Sequence, residues 1–191
     1  RDIMAQAWYQ GGLSIFDFTD STNPQEIAFF DRGPLDETVL MSGGYWSTYW
    51  YNGHIYGAEI ARGIDVFKLL PSEYLSENEI AAATEVRFEE FNPQRQPQVS
   101  WRASSAVARA YVDQLVRSES IPSSRVSAVD SVLSRIDALR LDDDSVVVSI
   151  VDDLKELVNT IEVDAGSANG RNADLLQALA ETLDARAASL R

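Results

Sequence analysis

A partial internal repeat constrains this chain more than any other feature. Sliding the sequence along itself by 51 residues lays "GGLSIFDF", Gly11 to Phe18, on "RGIDVFKL", Arg62 to Leu69. In both copies a glycine precedes an alternating apolar series, Leu13 and Ile15 in one and Ile64 and Val66 in the other. Phe16 falls on Phe67, and upstream Ala7 falls on Ala58. Apolar residues at every second position mark half-buried strands. A period of about 40–50 residues made of short strands is the mark of a propeller blade rather than a helical solenoid. The competing reading is a meander of unrelated hairpins. Fewer than two units are present, and one blade cannot bury its faces without neighbours. Residues 1–70 are therefore expected to end a longer propeller, whose further blades pack against this part. A chain that opens on Arg1, with no initiating Met and no apolar signal segment, is expected to be processed or a piece of a longer protein.

Composition divides the chain in two. Residues 1–70 hold three of the four Trp, five of the seven Tyr, five of the seven Phe and eight of the ten Gly. Aromatics broken up by glycine suit short strands and tight turns. From about Ser100 onward glycine nearly vanishes, and Ala, Leu, Val, Asp and Ser recur at helical spacing. The fold class expected is β + α in two domains: partial propeller blades over 1–70, a short helix and a Pro/Gln-rich linker over 71–99, and four helices over 100–191. Within the middle segment, "VRFEEFNPQRQPQVS", Val86 to Ser100, suits neither a helix nor a central strand. Ser76 and Glu79 have the spacing of a capping box, which predicts a short helix through about Thr84.

Local signals refine both halves. Asn52-Gly53 sits between "STYWY" and "HIYGAEI", a strong hairpin signal because a type I′ turn needs positive φ at both positions. Asp20, Ser21, Asn23 and Pro24 make another turn, and the strand after it places Ile27 and Phe29 on one face. Four apolar stripes follow at spacings of three and four. The first runs through Trp101, Val107, Ala108, Tyr111, Val112, Leu115 and Val116, and the second through Val126, Val129, Leu133, Ile136 and Leu139, with Pro122 in its first turn. The third runs from Val147 to Ile161, and the fourth, after "DAGSANG", from Leu175 to Ala187. Short connections predict a small antiparallel bundle.

"GGLSIFDFTDSTNPQEIAFFD" resembles the LVIVD-type repeat on Gly12, Leu13, Ile15, Asp17, Thr19, Asp20, Asn23 and Pro24. "GGYWSTYWYNGHIYGAEIARGIDVFKL" resembles the closing segment of the same bacterial propeller proteins. Phe16 and Phe18 depart from the pattern, standing where aliphatics are commoner. The resemblance covers about residues 1–70 and implies a β-propeller, often extracytoplasmic, without an assigned reaction. Order and spacing of the helical stripes resemble the C-terminal FIMAH domain of exported bacterial proteins, which implies an accessory module rather than an active site.

Thirty acidic against sixteen basic residues leave a net charge of -14, which argues against nucleic acid and anionic membranes as partners. The apolar run Val146 to Val151, broken by Ser149, is far too short to span a bilayer. No cysteine is present, so thiolate metal sites and disulfides are excluded. His54 is the only histidine, placed just after the hairpin turn, so a histidine pair cannot be built. Asp142, Asp143 and Asp144 could suggest calcium, but the EF-hand pattern is absent, and three acids before "SVVVSIV" fit a helix cap better. No catalytic residue, metal site or cofactor is assigned.

The candidate ligand residues are Trp46, Tyr49, Trp50, Tyr51, Glu59 and Arg62. Strand alternation puts Trp46, Thr48 and Trp50 on one face and Tyr45, Ser47, Tyr49 and Tyr51 on the other. Aromatics on both faces suit a blade between neighbours, or a rim on which a sugar or other ligand stacks. Glu59 and Arg62 are either a solvated strand end or a polar pair facing the central channel. The expected function is a non-enzymatic, extracytoplasmic binding or scaffold protein that recognises a protein, glycan or small ligand across a propeller face. The alternative is a propeller hydrolase or oxidoreductase whose site lies mostly in blades outside this chain, with Glu59 as acid/base or ligand.

Overall fold

The computed structural model describes residues 1–95, 97–139 and 144–190. It has mixed architecture: two three-stranded antiparallel sheets and five α-helices. The chain forms two compact units, one of Arg1–Leu75 with Thr84–Val99, the other of Ser76–Ala83 with Ser100 onward. In the first unit, β1 (Ile3–Ala7), β2 (Leu13–Asp17) and β3 (Gln25–Phe30) make one sheet. β4 (Tyr45–Tyr51), β5 (His54–Glu59) and β6 (Gly63–Phe67) make the other.

The 51-residue repeat is carried into strand pairing. β1 and β2 pair Met4 with Phe16, Ala5 with Ile15 and Ala7 with Leu13. β5 and β6 pair Ile55 with Phe67, Tyr56 with Val66 and Ala58 with Ile64, each pair displaced by the same 51 residues. The two sheets share one core of Leu13, Ile15, Ile27, Tyr45 and Ile55, flanked by Ala5, Ala7, Phe30, Trp50 and Phe67. Asn52 and Gly53 both take positive φ, 49° and 88°, and join Tyr51 to His54 across a two-residue turn. Gly12 is forced by crowding: a Cβ there would fall 1.6 Å from the Phe30 carbonyl oxygen.

Two bulges break the strict alternation expected from sequence. In β3, Ile15 faces Ala28 and Phe16 faces Glu26, leaving Ile27 unpaired. Ile27 is buried, but the extra residue turns Phe29 to solvent and Phe30 to the core, so Ile27 and Phe29 do not share a face. In β4, Tyr45 faces Glu59 and Ser47 faces Ala58, leaving Trp46 as the extra residue. The slip puts Tyr45 on the inner face with Thr48 and Trp50, and turns Trp46 outward.

Arg87 to Phe91 is laid against the β4–β5 hairpin. The Asn52 side chain accepts from Phe88 N–H at 2.9 Å and donates to the Phe88 carbonyl at 3.1 Å. The Tyr51 hydroxyl also donates to that carbonyl, at 2.9 Å. Phe88 and Phe91 stack on each other 5.1 Å apart, and Phe91 lies 6.2 Å from Tyr51.

The other unit contains α2 (Ser105–Arg117), α3 (Ser123–Asp137), α4 (Asp144–Ser167) and α5 (Gly170–Ser189). α1 (Glu77–Glu85) opens on a reciprocal capping box. Glu79 N–H donates to Ser76 Oγ at 3.1 Å, and Ser76 N–H donates to Glu79 Oε2 at 2.8 Å. Arg117 binds the same buried Glu79 at 2.6 Å. Arg135 pairs with Asp153, and Arg125 with Asp164 at 3.0 Å, which orients α3 and α4 antiparallel. The core of this unit includes Leu115, Leu133, Ile150, Leu154, Ile161, Leu179 and Leu183.

Two expectations shift here. Trp101 lies outside α2 and is exposed, because Ser104 accepts from Val107 N–H and so sets the helix start after it. α4 runs through Asp164-Ala165-Gly166 to Ser167, leaving only Ala168 and Asn169 before α5. Packing of α4 along α5 offsets the roughly 1 kcal/mol a helical glycine costs. Asp142 and Asp143, weighed as a calcium site and read instead as a helix cap, lie outside the described residues. Truncating Leu154, fully buried, to Ala is expected to cost about 2–5 kcal/mol in urea unfolding followed by far-ultraviolet circular dichroism. The exposed Val148→Ala should change stability by less than about 0.5 kcal/mol in the same assay.

Candidate functional site

Two concavities lie in the β unit, and they divide the candidate residues. The first, of about 440 Å³, is walled by the connection from Asp31 to Gly44 and floored by Tyr45, Glu59 and Arg62. Its wall is shaped by local carboxylate turns. Asp36 accepts from Thr38 N–H and hydroxyl at 2.7 Å each and from Val39 N–H at 2.9 Å. Asp31 accepts from Gly33 N–H at 3.0 Å.

Glu59 is the hub of this pocket. It is not a solvated strand end: only 6% of its surface is exposed. Its Oε1 accepts from Gly44 N–H at 3.1 Å, and its Oε2 accepts from Ala61 N–H at 2.7 Å and from Arg62 N–H. Burial by itself would raise the carboxyl pKa, but the three amides and the nearby Arg62 charge together hold it below the ordinary glutamate value. The Arg62 guanidinium reaches outward and donates to the Pro34 carbonyl at 3.4 Å.

Beside it, Tyr45 donates its hydroxyl to Asp65 at 2.6 Å, and Arg32 pairs with the other Asp65 oxygen. Burial first, and the Asp65 hydrogen bond second, push the Tyr45 phenol well above its usual pKa. Gly57 makes room for that ring, since a Cβ there would lie 2.7 Å from it. Glu59 thus accepts three hydrogen bonds, and Asp65 accepts one from Tyr45 and pairs with Arg32. The pocket has a braced wall and a polar floor.

The second concavity is an open groove of about 590 Å³ between β1 and β4. Ala5, Gln6 and Ala7 form one side, and Trp46, Ser47, Thr48 and Tyr49 the other, with Trp8 and Tyr9 at one end. Tyr9 meets Trp46 edge to face, 5.0 Å apart at 81°. Trp8 donates its indole N–H to Ser14 Oγ at 2.8 Å, which leaves the ring half-exposed. Thr48 is 9% exposed, and its hydroxyl has no hydrogen-bond partner.

The six candidate residues thus fall in three places. Trp46 and Tyr49 line the groove; Glu59 and Arg62 line the pocket. Trp50 packs on the shared core and Tyr51 braces Phe88, and neither lines the pocket or the groove. His54 stands exposed after the turn. Sequence reasoning missed Trp8, Tyr9 and Thr48 in the groove, and Arg32 and Asp65 in the pocket. The pair Trp8-Tyr9 just ahead of Gly11-Gly12 is a visible signal for the first group; the second follows only from the fold. Among the described residues, no group of three or more His, Cys, Asp or Glu side chains is placed to hold a metal ion. No helix is long and apolar enough to cross a membrane among them. No protein-family model, curated protein or solved structure matches this chain.

Because its folded pKa is depressed, Glu59 adds stability above the ordinary glutamate range and loses it as pH falls through the folded value. Glu59→Gln puts an amide NH2 against backbone donors, so its melting temperature at neutral pH should lie below the parent's. The gap should close in acid, as the parent carboxyl protonates. A gap that is constant from neutral pH to acid would refute the assignment. Tyr45→Phe should cost on the order of 1 kcal/mol, read by urea titration, through loss of the bond to Asp65.

Proposed function

We propose that the β unit is a section of a stacked-sheet module of the propeller type, similar to LVIVD repeats. On this reading the protein serves as a non-enzymatic binding or scaffold component, in keeping with the extracytoplasmic setting that resemblance implies. The helical unit is its accessory module. One observation carries the reading: equivalent residues of the two sheets have opposite exposure. Leu13 and Ile15 are 4% and 2% exposed, whereas Ile64 and Val66, their equivalents 51 residues on, are 75% and 56% exposed.

The inverse holds on the other faces. Ile55 and Phe67 point into the shared core, while their equivalents Met4 and Phe16 point away from it. Contact between the sheets is thus head-to-tail, like the contacts that generate rings or open stacks. Such a pair leaves one unsatisfied face of each kind. Tyr49, Tyr56, Ile64 and Val66 present one; Met4, Phe16 and Phe29 present the other. Contiguous apolar surface of this sort marks an interaction site. Further sheets of the same construction are its natural partners, and a protein, glycan or small ligand is bound across the edge of the finished stack.

Sedimentation of the chain over a range of concentrations tests the stacking. Head-to-tail oligomers should grow with concentration, and the double variant Ile64→Asp, Val66→Asp should remain monomeric with an unchanged melting temperature. A parent chain that stays monomeric throughout, or oligomers indifferent to the double variant, would overturn the reading.

A further inference from the structure

We propose that the aromatic groove between β1 and β4 binds a neutral oligosaccharide, with its sugar rings stacked on Trp46 and Tyr9. The inference rests on the binding reading above and narrows it to one ligand class. β1 and β4 are edge strands of their sheets, so the groove lies on the edge where that reading places a ligand.

The aromatic end of the groove is fixed before any ligand arrives. Tyr45 N–H donates to Trp8 O at 3.1 Å, Gln10 N–H donates to Gly43 O at 3.1 Å, and Tyr9 bridges Gly44 antiparallel. Gly44 has a φ of 79°, and a Cβ there would fall 2.4 Å from the Gly11 carbonyl oxygen, so the two segments touch backbone to backbone. Ser14 holds the Trp8 indole, and Tyr9 and Trp46 hold each other edge to face. Rings fixed in this way lose little freedom on binding. Trp8, Tyr9, Trp46 and Tyr49 nevertheless remain 47%, 62%, 57% and 47% exposed. The platform is rigid and open to solvent.

The chemistry of the lining selects the ligand. None of the residues lining the groove is charged, although 24% of the chain is. A charged ligand finds no counter-charge there, and the net charge of -14 repels anions. A purely apolar partner fits no better. The Trp46 indole N–H, the Tyr9 and Tyr49 hydroxyls and the Ser47 hydroxyl make no hydrogen bond to any described residue. An apolar cover would strand them. Thr48, in the groove wall, is 9% exposed, and its hydroxyl has no partner. A sugar meets both demands. One face of a pyranose ring is a layer of C–H bonds that lies on an aromatic face, and its rim of hydroxyls both donates and accepts. Tyr49 stands three residues beyond Trp46, roughly 10 Å along an extended strand, which favours a linear chain over a single sugar.

Calorimetric titration of the full chain with cellohexaose, xylohexaose, mannohexaose and laminarihexaose tests this. At least one should bind, with the same affinity at low and high salt. Trp46→Ala and Tyr9→Ala should each weaken that binding by about tenfold or more, at an unchanged melting temperature because both side chains are exposed. Trp101→Ala, exposed in the helical unit, should leave it unchanged. The Ile64→Asp, Val66→Asp chain, altered on β6 rather than at the groove, should bind as the parent does, so glycan binding and sheet stacking stand or fall separately. No heat from any of the four at millimolar concentration would overturn the proposal while leaving the sedimentation result untouched. Binding retained in either aromatic variant would also overturn it, as would binding weakened equally by Trp101→Ala or lost in the β6 double variant. A response to polygalacturonate alone, abolished by high salt, would assign an anionic ligand and overturn it too.

Discussion

The β unit depends on one apolar contact, the inner face of β1–β3 against the inner face of β4–β6. Leu13 and Ile15 on one side meet Tyr45, Ile55 and Phe67 on the other. Neither sheet has an independent core, and three strands with one open face are marginal in water. Burial at about 25 cal/mol per Å² of apolar surface makes this contact the main term that holds the unit together. Everything else in the unit is placed by it, including the pocket beneath the Asp31–Gly44 connection and the groove along β1.

The same contact buries only one face of each sheet. Its two faces differ, so repetition leaves one of each uncovered. A symmetric, face-to-self contact would have buried both apolar faces and ended the assembly. On the stacked-sheet reading proposed above, the exposed Ile64, Val66 and Phe29 are the faces that further sheets cover.

The polar groups divide into braces and openings. Glu59 saturates three amides at the pocket floor, and Tyr45, Asp65 and Arg32 form a connected chain beside it. Buried carboxylates partnered in this way brace the loops that donate to them. The groove is the reverse case. It has aromatic walls and, in Thr48, a buried hydroxyl without a partner.

Much of the local structure was legible because it follows from short-range rules. The 51-residue repeat, the Asn52-Gly53 turn, the Ser76/Glu79 capping box and the apolar positions of α3, α4 and α5 all express spacing that the backbone geometry itself imposes. Tertiary packing decided the rest. Bulges at Ile27 and Trp46 move residues between faces, and no local signal announces them, since they arise where two strands of unequal length must share one register. Burial of Glu59 depends on Gly44, contributed by a segment 15 residues earlier that only the fold brings beside it. The groove is more distant still from the sequence, for its two sides come from β1 and β4, strands far apart in the chain that only the fold brings together. By itself the sequence determined which residues repeat and which turns and helices they make. The fold decided which of those repeated faces are covered, because burial is a property of neighbours and not of the residue.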